Sequence, residues 1–206
     1  MPKKIWYAPN KFESYGEEEI KAVEACLRDG WLAGFGDRTV EFEQRVSSIF
    51  GKKHGLFVNS GSSAILIGLC ALDLPMGAEV VTPACGFATT VAPLVQLGLK
   101  PVFCDVGKDT YVPTVEHLRK VVTPNTKCLL LPNLIGNVPD WPSIREAFPD
   151  VILFEDSADT ITKNECTDIS TTSFYASHVI TAGGIGGMVM FNNEAHVKRA
   201  IMFRDW

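Results

Sequence analysis

The chain has 206 residues, of which 46% are hydrophobic, 10% aromatic and 21% charged. At roughly 150 residues per domain this is one large domain or a domain with an extension, and the aromatic content excludes a disordered polymer. A formal charge of −5 without a basic stripe argues against nucleic acid as a partner.

The N-terminus, MPKKIWYAPNKFES, carries lysines but no apolar h-region and no small-residue cleavage site. Ser14 to Gly30 reads as a helix capped by Ser14, with Glu17, Glu18 and Glu19 at its positive end and Ile20, Val23, Ala25 and Leu27 largely at helical spacing. WLAGFGDRT follows as a glycine-rich loop. A second amphipathic helix is predicted from about Thr39 to Phe50, with Val40, Phe42, Val46, Ile49 and Phe50 on its apolar side.

From Gly55 onward, short apolar runs alternate with helical ones: GLFVN then SSAILIGLCAL, EVVTP then FATTVAPLVQLG, KPVFCDV then VEHLRKVV, KCLLLPN then WPSIREAF, and VILFEDS. Strands this uniformly apolar are expected to be covered on both faces, in a mostly parallel sheet flanked by helices. Near Asp168 the alternation stops. DISTTSFYASH and GGMVMFN read as two further strands, and Glu194 to Phe203 as a helix. The longest apolar run, Ala64 to Leu72, is broken by Gly68 and is too short to span a bilayer. The six cysteines show no CxxC or CxH spacing, so neither a metal cage nor a disulfide framework is indicated. Together these features predict a soluble, reduced, cytoplasmic protein with neither a membrane nor a nucleic acid as partner.

In such sheets ligands sit beyond the carboxyl ends of the strands, which selects five polar segments: Asn59 to Ser63, Pro83 to Phe87, Asn133 to Asn137, Glu155 to Asp159 and Ser173 to His178. Asn59-Ser60-Gly61-Ser62-Ser63 runs from a strand directly into a helix. It suits a phosphate or other anion, and equally a plain N-cap with a tight turn. It has neither GxGxxG nor GxxxxGK[ST], which disfavours a dinucleotide or Walker nucleotide site. The carboxylates in Glu155-Asp156-Ser157-Ala158-Asp159 end a buried strand. They call for a protonated heterocyclic nitrogen, an Arg or a metal, unless they are ordinary turn residues. His178 has the side chain best suited to moving protons near neutral pH, although a lone histidine is more often a structural hydrogen-bonder. Phe87, read alone, fits a core position as well as a stacking one.

Taken in order, WLAGFGDRTVEFE, VNSGSSAILIGL, VVTPACGFATTVAPLVQLGLKPVFCDV, IGN, FEDSAD, DISTTSFYASHVIT and FRDW resemble the DegT/DnrJ/StrS sugar aminotransferases. These are pyridoxal-phosphate enzymes of the aspartate-aminotransferase fold. The blocks NSGSSA, EDxxD and SFYxSH are most similar to those of the nucleotide-sugar 3-dehydrases.

The resemblance implies an α/β large domain over residues 55–206, with a helical segment, residues 1–54, packed on it, and the family's smaller C-terminal domain missing. It implies cofactor binding, as pyridoxal 5'-phosphate or pyridoxamine 5'-phosphate, by six residues. Gly61, Ser62 and Ser173 would hold the phosphate, Phe87 would stack on the ring, Asp156 would face the ring nitrogen and Asp159 would lie near the ring hydroxyl. Asn137 would border the same pocket. At position 178 the aminotransferases carry the lysine that bonds the cofactor. This chain has His178 there and no lysine between Lys163 and Lys198. Imidazole cannot make that bond but can shuttle a proton, so His178 is the implied catalytic base. By resemblance the expected reaction is 3-dehydration of a nucleotide-linked 4-keto sugar, with an amino donor such as glutamate, in a homodimer serving deoxysugar or polysaccharide biosynthesis. Sugar transamination, or a non-catalytic remnant acting as a partner subunit, is the alternative.

Overall fold

The computed structural model describes residues 15–31, 34 and 36–205; the expected cap, Ser14, lies outside them. The first helix, α1 (Glu17–Asp29), starts where Glu19 Oε2 accepts the Gly16 amide at 2.7 Å and ends at Gly30, whose φ is +75°. None of its residues is buried. The second helix, α2 (Asp37–Ile49), begins two residues before its predicted start. Its Val46, together with Phe50 just beyond it, packs on Phe174, Met188 and Met190.

Among the described residues, seven strands make one sheet. They are β1 (His54–Val58), β2 (Glu79–Pro83), β3 (Lys100–Cys104), β4 (Thr126–Pro132), β5 (Ile152–Asp156), β6 (Ile169–Ser173) and β7 (Gly187–Phe191), in the spatial order β1-β7-β6-β5-β4-β2-β3. Every pairing from β6 through β5, β4 and β2 to β3 is parallel. β7 runs antiparallel between β6 and β1. Antiparallel β7 returns the chain without a helical crossover, which is why the strand–helix rhythm of the sequence breaks there.

The crossovers supply α3 (Gly61–Leu72), α4 (Ala88–Gln96), α5 (Val115–Arg119) and α6 (Trp141–Ala147), and the described chain closes with α7 (Glu194–Asp205). Both faces of the sheet are covered, as β4 shows residue by residue. Leu130 and Cys128 join Leu69, Leu94 and Phe154 on one side, while Leu129 and Leu131 join Leu118, Trp141 and Ile144 on the other. This alternation is what a run of uniformly apolar residues becomes once helices lie on both faces. Edge strand β3 departs from the expectation of two covered faces: of its residues only Cys104 is buried, and Phe103 is 50% exposed. β6 departs in the other direction. Its sequence, ISTTS, is mostly polar yet wholly buried, because its hydroxyls bond to Glu155, to the Ser157 carbonyl and to Asp156.

Candidate functional site

The parallel strands β1, β2, β4, β5 and β6 all end at one rim of the sheet. After β1 the chain turns through Ser60, whose Oγ accepts the Ser63 amide at 3.1 Å and caps α3. The amides of Gly61 and Ser62, in the first turn, have no acceptor inside the helix. This turn lies against the start of β7: a Cβ on Gly187 would stand 2.3 Å from the Ser60 carbonyl carbon and 2.4 Å from the Gly61 nitrogen. Gly61 is also hemmed in from the other side, since a Cβ there would meet the Ser173 Cβ at 2.9 Å. Only hydrogen at both positions lets β6, β7 and the head of α3 converge. Gly61 and Ser62, together with Ser173 from far along the sequence, thus form one cradle of small groups at a helix N-terminus. Ser173 Oγ accepts the Tyr175 amide at 3.3 Å.

On β5, the strand paired with β6, Asp156 ends the strand and is buried. Its Oδ2 accepts the Thr90 hydroxyl at 2.9 Å, and Thr171 Oγ1 approaches Oδ1 at 3.5 Å. Burial pushes its carboxyl up to about 6, against the bonds from Thr90 and Thr171, and the negative charge of Asp159 pushes the same way. A buried carboxylate so disfavoured fits a cationic ligand group: a protonated nitrogen placed against it would restore the charged form. Phe87 is the N-cap of α4, three residues before Thr90 and 68% exposed. Its ring lines an apolar recess of about 260 Å³ with Thr90, Phe103 and Pro132.

His178 sits in the loop between β6 and β7, its amide donating to the Tyr175 carbonyl at 2.9 Å. The Thr181 hydroxyl bonds the Phe174 carbonyl and accepts the Gly184 amide, which holds the two limbs of this loop together. The imidazole packs edge-on to the Tyr175 ring, with centroids 5.9 Å apart. Its Nε2 lies 4.0 Å from Asp159 Oδ1, while Nδ1 is buried without a hydrogen-bond partner among the described residues. The other oxygen of Asp159 accepts the Ile135 amide at 3.0 Å. Ile135 has φ +55°, a conformation that costs a β-branched residue of order 1–3 kcal/mol. Asp159 therefore connects His178 to a strained turn. The Asn137 side chain closes that same turn by donating to the Leu134 carbonyl at 3.3 Å.

Glu155 is on the opposite face of β5 from Asp156, within a buried polar network. Asn133 donates to it at 2.7 Å and Ser170 at 2.5 Å, and Asn133 also reaches Ser157 and Thr160. The two adjacent carboxylates therefore sit in different surroundings: Glu155 accepts from Asn133 and Ser170 within the buried network, whereas Asp156 accepts from Thr90 and Thr171 on the other face. Thr90, its strongest hydrogen-bond partner, is not marked by the sequence, because either of the two adjacent threonines in the apolar run FATTVAPLV looks like any helical residue. The i, i+3 spacing of Thr90 from Phe87 is the one clue to it.

Residues 13–206 match the model of the DegT/DnrJ/EryC1/StrS aminotransferase family. The chain is similar to the dTDP-4-dehydro-2,6-dideoxy-D-glucose 3-dehydratase of Saccharopolyspora spinosa, with 35% identity over 92% of this chain and 44% of that protein. It is also similar to the lipopolysaccharide biosynthesis protein RfbH of Salmonella typhimurium, with 36% identity over 93% of this chain and 47% of that one. The solved structure of the E. coli GDP-4-keto-6-deoxy-D-mannose-3-dehydratase with bound hydrated PLP superposes with a TM-score of 0.83 and 29% identity, over 95% of this chain and 53% of that one. The chain thus spans about half the length of the relatives it matches. Among the described residues no helix is long and apolar enough to cross a membrane.

Proposed function

The chain belongs to the DegT/DnrJ/EryC1/StrS aminotransferase family, and from that premise we propose that it is the cofactor-binding portion of a pyridoxamine-phosphate-dependent 3-dehydratase of nucleotide-linked 4-keto sugars. In this reading residues 55–206 form the cofactor domain, with residues 1–54 as a helical segment against it. The single observation that carries the reading is the company kept by His178, which faces Asp159 at 4.0 Å; the resemblance implies that this is the position at which the family's aminotransferases carry lysine.

The residues present fit the cofactor. The amides of Gly61 and Ser62, with the Ser62 and Ser173 hydroxyls, would hold its phosphate through helix-terminal donors. Asp156 would meet the ring nitrogen, and the protonated nitrogen would reverse the penalty that burial imposes on this carboxylate. Phe87, exposed at the rim, would cover one face of the ring. When bound, the cofactor supplies an electron sink that stabilises negative charge at the carbon beside it.

His178 would take and return a proton at its imidazole. Asp159 would steady the charged form of that imidazole as the proton arrives, at a separation where an ion pair forms once the ring is protonated. Unlike a lysine, the imidazole leaves the cofactor amine free to engage a keto group of the substrate. The nucleotide-linked keto sugar, an amino donor such as glutamate, and pairing with a second copy of the chain follow from the family and belong to the same proposal.

The experiment is an absorbance titration with pyridoxal and pyridoxamine phosphates, followed by borohydride reduction and mass spectrometry. Saturable binding without a reduced covalent adduct is expected. It should be lost in Asp156→Ala and kept in His178→Ala. A cofactor mass fixed on a lysine would overturn the role given to His178.

A further inference from the structure

The first turn of α4 carries two side chains that reach the rim, Phe87 and Thr90. Residues three apart on a helix share a face, so the exposed phenyl ring and the buried hydroxyl are mounted on one rigid piece. The Thr90 hydroxyl donates across to β5, bonding Asp156 Oδ2 at 2.9 Å over 66 residues of sequence. Thr90 is 2% exposed. A hydroxyl buried to that degree is costly unless bonded, and valine would fill the same volume without that cost. The same turn is weakly held by its own ladder. Pro93 lies inside α4 and has no N–H, so the carbonyl of Thr89 loses its usual partner four residues on.

We propose that Thr90 is a positioning residue of this site, its hydroxyl fixing the Asp156 carboxylate in one orientation for a cationic ring nitrogen and setting the Phe87 ring at a constant distance from it. The inference rests on the cofactor reading above and adds a residue to which the site owes its geometry. Among the described residues, the groups that act on Asp156 come from two elements and the chain that follows β5. Thr90 comes from α4, Thr171 from β6, and Asp159 and the Ala158 amide from the chain after β5, with His178 behind Asp159 on the loop after β6. Of these only the hydroxyls and the amide favour the ionised carboxylate, and Thr90 is foremost among them.

The test compares wild type, Thr90→Val and Thr90→Ser in binding of pyridoxal phosphate and pyridoxamine phosphate across pH 5 to 9. The phosphate of the ligand titrates identically in all three proteins, so the differences between proteins isolate Asp156. A hydrogen bond to a charged group is worth about one pH unit or somewhat more. Thr90→Val should therefore move the acid limb of binding up by about one unit, a loss of about tenfold on that limb, and Thr90→Ser should restore it. Without ligand, the stability deficit of Thr90→Val in urea should be larger at pH 8 than at pH 4.5, since the missing bond is to the charged form. If the valine variant does not fold, Thr90→Ala takes its place in both measurements. An unmoved acid limb in Val, or a serine variant that behaves like valine, overturns the proposal. Failure of wild type to bind either cofactor, or undiminished binding by Asp156→Asn, would instead overturn the cofactor reading on which it stands.

Discussion

Replacing Asp156 by Asn should make the unliganded protein more stable and the liganded one weaker, and the pH dependence identifies the cause. Burial raises the folded-state carboxyl from its ordinary 3.8 to about 6. A group whose folded value is raised contributes stability that is fully present below its unfolded value and is lost as pH rises through the folded value. The window here runs from about pH 4 to about pH 6. The shift is about two units at 1.36 kcal/mol each, so the ionised carboxylate costs the apo protein about 3 kcal/mol at pH 7 relative to pH 4. Asparagine keeps the shape and still accepts the Thr90 hydroxyl, but it does not titrate. Urea unfolding of both proteins from pH 4 to pH 8 should give curves that diverge by about 3 kcal/mol in favour of Asn as the pH rises through 6. Cofactor affinity should move the opposite way, down by about 10- to 100-fold, as expected for a lost bond between charged partners. Stability curves that stay parallel across the range would refute the argument, because they would mean the carboxylate is not held in a desolvated position.

Gly187→Ala should drive a methyl into the Ser60 carbonyl and the Gly61 amide. The expected loss is about 1–3 kcal/mol, seen as a lower melting temperature together with weaker binding of pyridoxal phosphate. Leu130→Ala, at a fully buried position in the middle of the sheet, should cost about 2–5 kcal/mol in denaturant unfolding at unchanged pH dependence. Asp159→Ala should release the Ile135 amide from its acceptor. Hydrogen exchange at that amide should then accelerate, with protection of the β4 and β5 amides unchanged.

Most of the layered architecture was legible in the sequence because its strands are short apolar runs closed by polar residues. That pattern places each candidate residue at a strand end before any coordinate is known, and Gly61, Ser173, Asp156 and His178 do lie at one rim. What the sequence withheld is pairwise. The direction of β7 depends on which neighbour GMVMF pairs with, and its apolar run reads the same either way. The burial of ISTTS in β6 depends on acceptors from β5, Glu155 and Asp156, that local patterning cannot supply. Thr90 was hidden for the same reason, since a hydroxyl gains meaning only from the carboxylate it faces. Ile20, Val23 and Leu27 have the spacing of an amphipathic helix, yet none of the α1 residues is buried; periodicity shows that a helix has an apolar face, not what the face meets.

The most direct test is a crystal structure of the protein soaked with pyridoxamine phosphate. The account requires the pyridine nitrogen within hydrogen-bond distance of Asp156, the phosphate on the Gly61–Ser62 turn, and the His178 imidazole beside the aminomethyl carbon. A ring bound with its nitrogen turned away from Asp156, or a phosphate seated anywhere other than the head of α3, would contradict it.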